Sequence, residues 1–128
     1  MKLQLLCVIT LFSYVCVAQD AKGVDGNHLL DYCTAAVQFM DSGRFDNDRQ
    51  ASQNLWCTGY VTGVMQGLDL ARKLSDKKDQ KIYPCLAGIA SKQAIRVIVK
   101  YLRENPEKLQ ERGVTLSLAA LQRAFPCK

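Results

Sequence analysis

The chain has 128 residues, with 17 Lys and Arg against 12 Asp and Glu, a net charge of +5, and 48% hydrophobic residues. That length corresponds to one domain. The positive excess is mild and spread along the chain, which suits an acidic partner or an anionic envelope. A single histidine and widely spaced cysteines exclude a metal site of familiar spacing.

The first element is a leader. Lys2 is the only charge before Asp20, residues 3–17 are an almost unbroken apolar run, and Cys16-Val17-Ala18 places small residues three and one before a cut at Gln19. This is the layout of a secretory signal peptide over residues 1–18. At about 1.5 Å per residue the run spans roughly 22 Å, short of the roughly 30 Å hydrocarbon layer. No membrane anchor is therefore expected after cleavage, and export takes the chain away from nucleic acid. Cleavage removes Cys7 and Cys16 and leaves Cys33, Cys57, Cys85 and Cys127 in a mature domain at residues 19–128 with a net charge of +4. Four cysteines in an exported chain predict two disulfides, each adding about 2–4 kcal/mol.

Residues 21–26 are a short polar lead with two glycines, expected to be mobile. Asn27 can cap a first helix whose apolar positions Leu29, Leu30, Cys33, Val37 and Met40 repeat at helical spacing. Asp41-Ser42-Gly43 ends it, and Asn47 or Asp48 caps the next. The second helix, about residues 50–74, carries Cys57, Val61, Val64, Leu68 and Ala71 toward a core. Beside this stripe run Gly59, Gly63 and Gly67, each four residues apart. Interior glycines weaken a helix by roughly 1 kcal/mol apiece, so the strip predicts close approach of another element, read as tight helix packing within the bundle. The charged connection at residues 75–83 carries Lys77, Lys78 and Lys81. Ser91 can cap a third helix with Ala94, Ile95, Ile98, Val99 and Leu102 inward. Asn105-Pro106 restarts a last helix with Leu109, Leu116, Ala120, Leu121 and Ala124, kinked at Gly113.

No segment alternates with period two long enough for a sheet, so the fold class is all-α: a small, disulfide-stapled, four-helix bundle-like domain after a cleaved signal peptide. An up-and-down bundle favours pairing Cys33 with Cys57 and Cys85 with Cys127. The crossed pattern, Cys33 with Cys85 and Cys57 with Cys127, is the rival.

Catalytic sets are thin. His28 lies at the exposed start of a helix, and all four mature cysteines are accounted for as pairs, which leaves no thiolate nucleophile. The glycines have helical rather than phosphate-loop spacing, and the aspartates do not have calcium-loop spacing. The sequence gives no catalytic residue, no metal ligand and no cofactor site, and the chain is read as a non-enzyme. Binding features are better represented: Trp56 and Tyr60 stand on the helix that carries the glycine strip, and Lys77, Lys78 and Lys81 stand on a loop that could enter a partner's cleft. Aromatics beside a glycine strip suit a partner helix or a homodimer.

A set of motifs in fixed order then resembles a known family. Leu29-Leu30-Asp31-Tyr32-Cys33 is followed by Cys57-Thr58-Gly59-Tyr60-Val61-Thr62-Gly63-Val64 and by Cys85-Leu86. Val97-Ile98-Val99-Lys100-Tyr101-Leu102-Arg103-Glu104-Asn105-Pro106-Glu107 is the most specific segment, and Ala124-Phe125-Pro126-Cys127 closes the pattern. Together they resemble the Rap/Tai immunity proteins of bacterial type VI secretion. The chain departs from that pattern at Ala87-Gly88-Ile89, where the family often has a proline. The resemblance implies a periplasmic, all-helical, often dimeric protein that binds a secreted peptidoglycan amidase effector and covers its active site. The competing expectation from the build alone is a small periplasmic chaperone or stress-binding protein.

Overall fold

The computed structural model describes residues 23–127. The leader expected at residues 1–18, with Cys7 and Cys16, lies outside them. Among the described residues the fold consists of four α-helices: α1 Gly26–Ser42, α2 Asp48–Leu74, α3 Ser91–Glu104 and α4 Gly113–Ala124. Single 3-10 turns at Gln80–Ile82 and Pro106–Lys108 lie in the connections. The described residues contain no strand, only an isolated bridge between Asp25 and Arg112.

The helix ends show where local chemistry was read correctly and where it was not. Asp25, not Asn27, caps α1, its carboxylate accepting the His28 N–H at 2.9 Å. Asn27 instead donates its side-chain amide to the Leu109 carbonyl at 3.1 Å. Gly43, at φ +71°, closes α1 in the left-handed conformation that favours glycine. Asn47 caps α2 through the Gln50 N–H, and the Gln50 side chain reaches back to the Asp46 N–H, a reciprocal pairing at the helix entrance. Ser91 is the first residue of α3 rather than its cap, and its hydroxyl pairs with Thr62 on α2 at 3.1 Å. Asn105-Pro106 opens a 3-10 turn rather than α4 itself. There the Asn105 amide bonds back to the Tyr101 carbonyl.

α3 packs on each of the other three helices. Its buried face is Ala94, Ile95, Ile98, Val99 and Leu102, as the helical period predicts. Leu29, Cys33 and Ala36 of α1, Cys57, Val61 and Met65 of α2, and Leu116, Ala120 and Leu121 of α4 complete the core. Each large side chain so buried contributes roughly 1.5–3 kcal/mol. On α2, Leu68 packs at the core's edge, and on α4 Ala124 is exposed. Gln53 is buried in their stead because Asp31 of α1 accepts its amide N–H at 3.0 Å, which offsets the cost of hiding a polar group. Arg96 of α3 bonds Asp41 of α1 at 2.6 Å on the surface.

The disulfides join Cys33 to Cys57 and Cys85 to Cys127, with Cα atoms 5.1 Å apart in each. The first ties α1 to α2. The second ties the start of the α2–α3 connection's last stretch to the residues after α4, where the Cys85 N–H also donates to the Phe125 carbonyl at 2.9 Å.

The polar lead is a fixed part of the fold from Val24 onward. The Gly113 N–H donates to the Val24 carbonyl at 2.6 Å, Gly26 N–H to Glu111 at 3.1 Å, and Asn27 N–H to Leu109 at 3.2 Å. These bonds form a seam between the entrance of α1 and the entrance of α4. The seam requires its two glycines. A Cβ on Gly26 would stand 2.5 Å from Leu116 Cδ1 and 2.9 Å from Leu109 Cα, and one on Gly113 would stand 3.0 Å from the Val24 carbonyl. Gly113 therefore begins α4 by letting the lead approach, rather than kinking a longer helix.

Candidate functional site

Four aromatic side chains form a ladder across α1 and α2. His28 stacks on Tyr32 with ring centroids 4.1 Å apart, Tyr32 meets the edge of Trp56 at 4.9 Å, and Trp56 stacks on Tyr60 at 5.0 Å. The geometry follows from the chain. His28 and Tyr32, like Trp56 and Tyr60, are four residues apart and so neighbours on one helix face. Tyr32 and Trp56 each precede a cysteine of the Cys33–Cys57 bridge, which sets the two helices side by side at that height. Aromatic pairs of this kind contribute roughly 0.5–1.5 kcal/mol beyond area burial. Trp56 and Tyr60 are half-buried and pack against the core, so they roof it while keeping one side outward.

Past Tyr60 the ladder opens into a shallow trough of about 500 Å³, lined by Gly59, Tyr60, Gly63, Val64, Gly67, Leu68 and Val114. This corrects the reading of the glycine strip as packing within the bundle. Nothing lies within 4 Å of where a Cβ would stand on Gly59, Gly63 or Gly67, and all three residues are exposed. The physical reason is rotational. The core takes the Gln53, Cys57, Val61 and Met65 side of α2, and the glycines lie on the opposite side of the cylinder. Leu55, Leu70 and Leu74 share the outward side and are exposed.

Tyr60 joins trough and seam: its ring lines the trough, and its hydroxyl lies 3.1 Å from where a Gly113 Cβ would be. Burial raises its phenol pKa above the ordinary value, with Arg112 pulling in the opposite direction. The first charge after the strip is Asp69, whose half-buried carboxyl is held below the usual range by its hydrogen bond to Lys73, with Arg72 adding to the effect.

Lys77, Lys78 and Lys81 are exposed at the far end of α2, and Ile82 is exposed beside them. None of the three enters an ion pair among the described residues. The loop is held by its own backbone, with Asp79 and Gln80 N–H groups on the Asp76 carbonyl and the Gln80 side chain on the Ser75 carbonyl. About 21 Å of helix separates Tyr60 from Leu74, where this loop begins. The residues expected from sequence to bind a partner thus fall in two separate places, Trp56 and Tyr60 on α2 and the three lysines on the loop beyond its C-terminal end.

Sequence reasoning missed the contributions of His28 and Tyr32 to the ladder, although each aromatic beside a cysteine was a usable signal. It also missed Leu55, Leu70 and Leu74. Among the described residues no group of three His, Cys, Asp or Glu side chains could hold a metal ion, and no helix is long and apolar enough to cross a membrane. The four cysteines among the described residues are all in bridges, so none of these offers a thiolate.

Against known families, the model for the Rap1a immunity proteins matches residues 25–127, nearly the whole described chain. The chain belongs to this family. No curated protein and no solved structure matches it.

Proposed function

We propose that this member of the Rap1a immunity proteins is exported to the periplasm by the leader at residues 1–18, where the domain at 19–128 binds and sterically blocks a secreted peptidoglycan amidase. The observation that carries the reading is the family match across residues 25–127, on a domain whose four described cysteines are all spent in bridges. Such a protein needs shape fit and a few desolvated contacts rather than reacting groups. The lysine loop supports an insertion into the enzyme's cleft: Lys77, Lys78 and Lys81 stand clear of the bundle, on a short segment stapled nearby by Cys85–Cys127. Holding a loop in its bound shape before binding lowers the entropic cost of docking. The family resemblance also supports a second copy of the chain as a partner.

The test is a pull-down with the oxidised protein from envelope and secreted fractions, followed by an amidase assay on whatever is retained. A single small amidase, held through high salt and silenced at one equivalent, is the expected result. A smear of unfolded clients would move the chain to the chaperone class. Reversing Lys77, Lys78 and Lys81 to glutamate should weaken the complex several-fold or more; unchanged affinity would remove the loop from the interface.

A further inference from the structure

The outward face of α3 has no part in the aromatic ladder, the trough or the lysine loop. Lys92, Arg96, Lys100 and Arg103 are all exposed on it. At 3.6 residues per turn these four fall within an arc of about 80° and a length of about 16 Å. The helix carries a single acid, Glu104. Local pairing accounts for only part of this charge. Arg96 takes Asp41 of α1, and Lys100 stands 3.8 Å from Glu104 with side chains 76% and 49% exposed, a kind of pair that contributes little in water. Lys92 and Arg103 enter no ion pair among the described residues, and the Arg103 guanidinium reaches only the Thr34 hydroxyl, at 3.5 Å. For the helix alone the arrangement is unfavourable. Like charges four residues apart repel, and Lys92 sits in a first turn without an acid, where the helix dipole already places positive charge.

The same face is creased. A groove of about 360 Å³ runs along its α1 side, where Val37 and Val99 lie between Arg96, Lys100 and Arg103. A second, of about 260 Å³, runs along its α4 side, where Val97, Tyr101 and Ala120 lie between Lys100 and Arg123. Lys100 and Glu104 line both and so form the ridge between them. Across the two grooves four cations stand against one carboxylate.

We infer that this face is a second docking surface, whose occupant is an acidic segment of a protein partner that sets carboxylates along the ridge and apolar side chains in the flanking grooves. Two observations choose that chemistry. The surplus of cations calls for carboxylates, because a cleft lined by one sign of charge between low-dielectric walls focuses its field on the opposite sign. Arginine holds a carboxylate through two hydrogen bonds at once, and Arg103 has no carboxylate on it among the described residues. The apolar linings call for the side chains of a polypeptide rather than a plane of lipid headgroups. The large apolar side chains exposed for entry into a bilayer are Leu55, Leu70, Leu74, Ile82 and Val114, and none of them is on α3. A helix of about three turns, or an extended strand of about five residues, spans the ridge. Nothing in this surface depends on the partner being an amidase.

The probe is a labelled synthetic helix of about four turns, with glutamates on one face and a leucine on each flank, titrated with the oxidised protein and read by fluorescence anisotropy. Binding at low salt should be saturable and should weaken about ten-fold or more as salt rises from about 50 to about 300 mM. Lys100→Glu and Arg103→Glu together should weaken it about ten-fold or more with helix content and melting temperature held, since both side chains are exposed. Reversing Lys77 and Lys78 instead should change it less than two-fold, about the effect of a distant charge. Serine in place of the probe's leucines should cost several-fold, because the grooves are then left empty. No saturable binding at low salt, an equal loss from the loop reversal, or no loss with the leucine-free probe would overturn the proposal. Phosphatidylglycerol vesicles that displace the probe as well as unlabelled peptide does would overturn it too, in favour of a lipid surface. Amidase inhibition assayed on the same proteins keeps this apart from the proposed function. A protein that binds the acidic helix and inhibits no amidase defeats the proposed function alone, and one that inhibits an amidase but ignores the helix defeats this inference alone.

Discussion

Gly26 and Gly113 are isolated in the sequence, whereas Gly59, Gly63 and Gly67 recur every fourth residue, and the two groups do opposite things. The isolated pair sits where one stretch of backbone crosses another, with a carbonyl, a Cα or a methyl group where a side chain would begin. The periodic triplet has empty space in the same place. Spacing of four shows that residues share a side of a helix; it does not show which way that side looks. The need for a missing Cβ arises from a chain segment distant in sequence, and such a segment leaves no periodic mark. Regular glycine is a statement about a surface, while irregular glycine at an element's entrance is a statement about a crossing.

Substitution breaks or sharpens that contrast most directly. Gly26→Ala should be the costliest change, destabilising by about 3 kcal/mol, because two of the three nearest atoms are Leu109 backbone and cannot swing aside. Its denaturant midpoint, measured with the slope held common, would decide; a loss under about 0.5 kcal/mol, the range of ordinary surface substitutions, would show that the seam flexes. Gly113→Ala should cost less, about 1–2 kcal/mol, since its neighbours stand at 3.0 Å or more and one is the tip of Tyr60. Adding Tyr60→Phe to it removes that hydroxyl and should return part of the loss, a coupling that a double-mutant cycle reads directly. Gly63→Ala reverses the sign. In the monomer it should stabilise by up to about 1 kcal/mol through helix propensity alone, and a destabilised monomer would mean that the strip is covered after all. The smallest effect is at alkaline pH. Burial raises the Tyr60 pKa in the fold, so its contribution is complete below the ordinary value of 10.0 and is lost as pH climbs through the raised value. Wild type should therefore lose stability above pH 10 slightly faster than Tyr60→Phe, which melting curves across that range would show.

Much of the fold was legible because it is local. The inward face of α3 is written in its period, the Asn47 cap in its residue type, and the disulfide partners in the expectation of antiparallel neighbours. What escaped was non-local. Gln53 looks like a surface residue until Asp31 is known to accept its amide. Residues 24–27 look like a loose lead until Leu109, Glu111 and Val24's partner Gly113 are seen across from them. The site was legible to the same degree. Trp56 and Tyr60 could be placed on one face by counting, and the lysines on a loop by composition. The continuation of the aromatic ladder onto α1 depends on the height at which Cys33 meets Cys57, which counting along one helix does not supply.

The seam also bears on how the chain is completed. Asn27 and Leu109 are 82 positions apart, yet they complete the first turn of α1. Until residues 109–111 have been made, the buried backbone of Gly26 has no carbonyl to meet, and a product ending before Leu109 frays from its beginning rather than from its cut end. Contacts spanning so much of the chain form late, because a long loop must close before they give any return. The entrance of α1 thus tests for the segment at 109–113: a copy cut before it would expose its first helix to proteases, and one that carries it would hide that helix.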